Sequence, residues 1–268
     1  VTGELFELEL FGDQVERRYR KLRPEVEAMP WGTFDTSGLP EASLVHARKH
    51  WTGAAFQEHR TAIACAATLR GLLECRAPLD LVAMAARFPT DELVHVELCA
   101  RMAMELGGGS EITHDPDVMI VDGPKDASPL LRTSDMVVRF FCVGEALSIP
   151  LLRQTWHAAR HPLPRAILGR IVKDEAAHGV FGFLYLDWAL ERHDRGDLEH
   201  LGRAADRAIA AIRRQWAALR EQRSADYDAS MGDALGWMDS DAYLALAARS
   251  LEEKVRKPLL ERGVPLSA

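Results

Sequence analysis

The chain of 268 residues is long enough to bury one sizeable core, and its net charge of −7 leaves no basic surplus with which to neutralise a phosphate backbone, so nucleic-acid binding is not expected. Hydrophobic residues make up 47% and charged residues 27%, the balance of a globular protein, and no run of apolar residues is long enough to suggest a membrane span. The four cysteines, Cys65, Cys75, Cys99 and Cys142, stand apart in apolar stretches; with an acidic N-terminus lacking a signal-peptide charge pattern, they predict free thiols and a cytoplasmic location.

Apolar residues recur at helical spacing along most of the chain, and strand alternation is scarce. Residues 1–42 are the least regular, with a charged helical piece over Asp13–Glu27 and a Pro/Gly-rich stretch from Met29 to Pro40. A long helix is predicted from Ser43 to Cys75, its inward stripe reading Trp51, Ala55, Glu58, Ala62, Cys65, Leu69, Leu72. After a turn at Pro78, a second stretch runs to Leu106 with Phe88, Glu92, His95, Cys99 and Met102 on one face, and Pro89 must kink or break it. Gly107–Gly109 ends that stretch, and a long connection leads to about Pro129. A third helix is predicted from an N-cap at Ser134, with a stripe of Val138, Phe141, Glu145, Ile149 and Leu152 and a bend at Pro150. Pro162 and Pro164 mark the next turn. A fourth helix carries Ile167, Ile171, Glu175, His178 and Tyr185, and further helical stretches are predicted over 198–223 and 240–256.

The chemistry lies in an internal echo. Asp91-Glu92-Leu93-Val94-His95 and Asp174-Glu175-Ala176-Ala177-His178 both read D-E-x-x-H. Residues three apart on a helix share a face one turn apart, so each motif aims a carboxylate and an imidazole at one point. Glu58 and Glu145 stand alone on otherwise apolar stripes. Four buried carboxylates would repel one another unless cations joined them. A donor set of four Glu and two His suits iron or manganese, whereas thiolates would suggest zinc or iron–sulfur. Asp91 and Asp174 are expected behind the ligands, each accepting the other ring N–H of the histidine from the opposite motif. A third E-x-x-H, Glu111 to His114, falls in the Gly-rich connection with no helix around it and is set aside.

The spacing supports convergence. In a helical hairpin, residues equidistant from the turn lie at one height. The midpoint of Glu58 and Glu92 is Cys75, at the first turn, and that of Glu145 and Glu175 is Arg160, beside the second. The midpoint of Glu92 and Glu145 falls near Val118 and Met119, in the connection, which must therefore cross the bundle.

On Glu58, Asp91-Glu92-x-x-His95, Glu145 and Asp174-Glu175-x-x-His178, residues 45–190 resemble the ferritin-like di-iron carboxylate superfamily, above all its oxygen-activating branch, which includes the ribonucleotide reductase small subunit. The resemblance implies an all-α fold: a ferritin-like four-helix bundle over 43–193 with a long crossover connection, a 1–42 extension and C-terminal helices over 197–268. It implies that Glu58, Glu92, His95, Glu145, Glu175 and His178 hold two Fe ions, with Mn or mixed Mn/Fe as alternatives. It further implies an O2-dependent oxidase or mono-oxygenase acting on a small organic substrate, fed by a ferredoxin or flavin reductase, and a homodimer. Cys99 stands where radical-generating reductase subunits carry tyrosine, and Ile171 where some N-oxygenases carry a further histidine. A ferroxidase or other iron-handling protein, and a metal-free structural bundle, are the alternative readings.

Overall fold

The computed structural model describes residues 3–221 and 229–267. The protein is mostly helical. In chain order the α-helices are α1 (Asp13–Lys21), α2 (Pro24–Glu27), α3 (Glu41–Glu74), α4 (Leu79–Ala85), α5 (Phe88–Glu105), α6 (Pro129–Val137), α7 (Ala146–Ala158), α8 (Pro162–Ala189), α9 (Arg195–Glu221), α10 (Ala229–Leu235), α11 (Ser240–Ser250) and α12 (Lys257–Glu261). Two π-helical segments, Val138–Glu145 and Leu251–Arg256, join α6 to α7 and α11 to α12. A short strand pair, β1 (Glu4–Leu5) antiparallel to β2 (Thr113–His114), ties the N-terminal segment to the long connection. The last two residues of the predicted 198–223 stretch lie outside the described residues.

The helices pack as a bundle in which α3 lies along α5, the Val138–Ala158 stretch lies along α8, and α6 leans on α3. The contacts of the connection after α5 define its path. Ser110 N donates to Thr52 Oγ1 near the start of α3, Arg60 Nε donates to the Val118 carbonyl midway, and Arg132 at the start of α6 pairs with Glu74 at the end of α3. The connection therefore climbs most of the length of α3. This lets α6–α7 run antiparallel to α3, and α8 return alongside them. The N-terminal extension is pinned to α5 by the buried Arg23, whose Nε lies 2.8 Å from Glu97 Oε2.

At Pro89 the predicted stretch breaks rather than kinks: α4 ends before it, and Pro89 sits in the first turn of α5, where its missing N–H costs nothing. Two other local features differ from the sequence expectation. The third helix starts at Ser128, whose Oγ accepts from Leu131 N with Pro129 behind it, not at Ser134, which is fully buried inside α6. The π-helical turns over Val138–Glu145 shift the phase of the stripe. Beyond Glu145 the buried positions of α7 are Ala146, Leu147 and Leu151, while Ile149 and Leu152 are only partly covered. Of the cysteines, all free, Cys75 is half-buried and the other three are buried. Among the described residues, no helix is long and apolar enough to cross a membrane.

The π segment approaches α8 closely, and Gly182 makes room for it. A Cβ at Gly182 would stand 2.8 Å from both Cys142 N and Phe141 Cβ. Gly182→Ala is expected to cost about 1–3 kcal/mol by prising the two apart. Urea unfolding checks this: the midpoint should fall with an unchanged slope, and an unmoved midpoint would show that the contact gives way freely.

Candidate metal centre

The six predicted donors converge. Glu58 lies on α3, Glu92 and His95 on α5, Glu145 closes the π segment, and Glu175 and His178 lie on α8. Two groups form in which every donor atom lies within 4.8 Å of the others: Glu58, Glu92, His95 and Glu175 in one, Glu145, Glu175 and His178 in the second. Glu175 belongs to both, its Oε1 being 3.4 Å from His95 Nδ1 and its Oε2 3.2 Å from His178 Nδ1. Glu92 also faces both histidines, with Oε2 3.5 Å from His95 Nδ1 and Oε1 2.9 Å from His178 Nδ1. Glu58 Oε2 reaches His95 Nδ1 at 3.6 Å, and its side chain, 18% exposed, is the most open of the set around His95. The Ser148 hydroxyl donates to the Glu145 backbone carbonyl at 3.0 Å and stands 3.5 Å from Glu145 Oε2.

Both histidines turn Nδ1 inward and Nε2 outward, and each Nε2 meets an aspartate from the other motif. His95 Nε2 lies 3.1 Å from Asp174 Oδ2, and His178 Nε2 lies 3.8 Å from Asp91 Oδ2. A carboxylate only accepts, so Asp174 draws the ring proton to Nε2 and leaves Nδ1 with a lone pair for a cation.

Two arginines behind the aspartates were missed in the sequence. Arg87 Nε lies 3.1 Å from Asp91 Oδ2 and its Nη2 3.8 Å from Asp174 Oδ1; Arg170 contacts Asp174 directly and Glu25 beyond it. The signal was present: both motifs extend to R-x-x-x-D-E-x-x-H, with each arginine four residues before its aspartate and hence on the same helix face. Asp174→Asn is expected to weaken metal affinity about 10–100-fold while the fold persists. Competition against a chelator measures it, and undiminished affinity would show that Asp174 does not position His95.

The protonation of the metal-free cluster follows from its burial. Burial pushes Glu58 up to about 8, against the hydrogen bond from His95. Burial and the neighbouring Glu175 and Glu92 carboxylates push Glu145 well above the usual range. Burial also acts on Glu92 and Glu175, but hydrogen bonds from the two histidines outweigh it and hold both low. Burial disfavours charge on the imidazoles, yet the surrounding carboxylates win, raising His95 well above its ordinary value and His178 to about 12. At neutral pH the metal-free cluster thus holds protons on Glu58 and His178, while Glu92 and Glu175 are held as carboxylates.

Even so, the cluster is under-satisfied. Both Glu92 oxygens, Glu175 Oε2, His95 Nδ1 and both ring nitrogens of His178 are buried without a well-aligned hydrogen bond, and all but His178 Nε2 face the cluster. Buried polar atoms in that condition cost about 1–3 kcal/mol each, and more when charged. Oxygen and imidazole donors converging on shared points fit a metal ion, which would satisfy all of them at once. Comparison with protein-family models and with curated proteins finds no match to this chain. The class that fold and site define is therefore an all-α helical protein with a buried Glu/His cluster able to hold a metal ion.

Proposed function

We propose that the protein is a ferritin-like di-iron carboxylate protein that activates O2 to oxidise a small organic substrate, with electrons from a ferredoxin or flavin reductase. The observation that carries this reading is the sharing of Glu92 and Glu175 between His95 and His178. Two carboxylates that each face two imidazoles can hold two ions side by side, with Glu58 and Glu145 closing the outer positions. The helix order, with a connection climbing α3 between two antiparallel pairs, supports the ferritin-like assignment. Four carboxylates and two imidazoles favour iron or manganese. Iron bound there would supply the reduction of O2 and the oxidation of the substrate.

The chain's own residues would orient and shelter that chemistry. Asp174 holds the His95 imidazole in one tautomer, Asp91 stands 3.8 Å from His178 Nε2, and Arg87 and Arg170 hold the aspartates. The Phe88 ring lies 4.2 Å from the His178 ring, with Phe141 and Phe181 packed behind it, a wall that excludes water from that side. Glu58, at the more open edge, is placed to meet a substrate or to pass a proton outward.

The test is metal content by elemental analysis after anaerobic loading with ferrous iron, on the wild type and on Glu175→Ala with His178→Ala. The expected result is about two irons per chain in the wild type and none held stoichiometrically in the double variant. Wild-type protein without stoichiometric metal overturns the reading in favour of a structural bundle.

A further inference from the structure

A second buried polar chain lies beyond the metal cluster. Tyr185, two turns past His178 on α8, is fully buried, and its hydroxyl lies 2.9 Å from Ser134 Oγ. Ser134 Oγ lies 2.8 Å from His193 Nε2, and His193 Nδ1 lies 3.0 Å from Asp197 Oδ2. Ser134 and the His193 side chain are fully covered, while Asp197 is 29% exposed. Four polar groups from α6, α8, the turn after α8 and the start of α9 thus lead in series from the core to the surface.

The direction of this chain is set at its outer end. A carboxylate only accepts, so His193 carries its proton on Nδ1 and offers a lone pair at Nε2. Ser134 then donates to Nε2, and its oxygen is left to accept from the Tyr185 hydroxyl. Every donor points outward. The arrangement has the members of a hydrolytic triad, but the serine is sealed from solvent and occupied by the phenol, so no substrate can reach it. What it can do is accept the phenolic proton. A phenol that loses an electron becomes a strong acid, and it is oxidised readily only where a base takes that proton.

A route for the electron is also present. The Tyr185 ring centroid lies 6.4 Å from that of Phe181, Phe181 lies 5.2 Å from Phe88, and Phe88 lies 4.2 Å from His178. Trp188 flanks Tyr185 at 5.5 Å on the outer side. Burial keeps the phenol protonated at rest.

We propose that Tyr185 is a one-electron redox site, its electron passing to the O2-oxidised di-iron centre and its proton to His193 through Ser134. The Tyr185 O–H bond breaks, and the proton goes to Ser134 Oγ as the Ser134 proton goes to His193 Nε2. The iron centre is reduced by one electron. The products are a neutral phenoxyl radical and an imidazolium paired with Asp197. The oxidant rests on the di-iron reading; the proton relay does not.

The experiment has two arms, both read by electron paramagnetic resonance on protein with ring-deuterated tyrosine as the control for assignment. In one arm, protein of measured iron content is reduced, exposed to O2 and freeze-quenched. In the other, metal-free protein is oxidised by photogenerated ruthenium(III) tris-bipyridine. The expected result is a long-lived tyrosyl signal in both arms, lost in Tyr185→Phe. In His193→Gln, which keeps a side chain of similar reach but takes no proton, the signal should be lost or short-lived. A purely structural hydrogen bond would not give that dependence. A signal unchanged in either variant overturns the proposal, as does the absence of a long-lived signal in the photochemical arm. A Tyr185 signal with ruthenium but not with iron and O2 supports the relay and overturns the di-iron reading as its oxidant.

Discussion

Glu175→Ala is expected to empty both of the proposed metal positions, whereas Glu145→Ala is expected to empty one. Glu175 is the carboxylate common to both donor groups, with one oxygen toward each histidine. Without it, the position beside Glu58 keeps Glu92 and His95 and the position beside Glu145 keeps only His178 and the shared Glu92. Neither retains the charge that holds two divalent ions at close range. Glu145 contacts only the His178 side, so its loss leaves Glu58, Glu92, His95 and Glu175 intact around the other ion. Iron per chain after anaerobic loading measures the contrast, with circular dichroism to show that each variant is folded. Equal losses from the two variants would sink the idea that Glu175 is shared and Glu145 is not.

The second large effect is on pH. In the metal-free protein near pH 7, Glu58 and His178 carry protons, being raised to about 8 and about 12. Burial pushes Glu145 upward too, and the surrounding carboxylates, against burial, do the same for His95. Divalent ions would displace the protons held on these ligands. Apparent affinity should then rise with pH around neutrality, by roughly 10-fold per pH unit for each proton released on binding one ion. The slope should flatten above about 8, where Glu58 gives up its proton unaided. Calorimetry in buffers of differing ionisation enthalpy counts the released protons; pH-independent binding would contradict the charge state deduced for the cluster.

The same shifts act on folding, with a definite sign. Glu58 keeps its proton to about 8 when folded but loses it near 4.5 when unfolded, and His178 keeps its proton to about 12 against 6.5. The folded state therefore holds more protons between those values, so the contribution of these groups to stability falls as pH rises from 6.5 to 8.

The helical content and the convergence of the six carboxylate and imidazole side chains were legible because periodicity and a repeated motif are local properties of the chain. The carboxylate heights were legible because hairpin geometry converts sequence distance into position along an axis. The extent of the third helix was not. Ser128 and Ser134 are both good caps, and the choice depends on Pro129 suiting the first helical position. The π segment was invisible for a deeper reason. Its wider turns carry no residue signature, and Val138, Phe141 and Glu145 satisfy an ordinary helical stripe. The arginines behind Asp91 and Asp174 carry little signal of their own, because an arginine four residues before an acid is also the pattern of an ordinary solvent-facing helix pair. The Tyr185 chain needed the tertiary structure, since Ser134 and Tyr185 are brought together only by the packing of α6 on α8.

The two R-x-x-x-D-E-x-x-H helices make the centre a near-twofold object, each half mirroring the other in kind and number of groups. The symmetry is broken on the partner helices. One outer carboxylate, Glu58, comes from a regular helix and has a side chain 18% exposed, while the other, Glu145, ends a widened one and is 8% exposed. Two ions in such a frame are not equivalent. One would be the exchangeable member of the pair and the other the retained one, so that a centre assembled from duplicate parts acquires a front and a back.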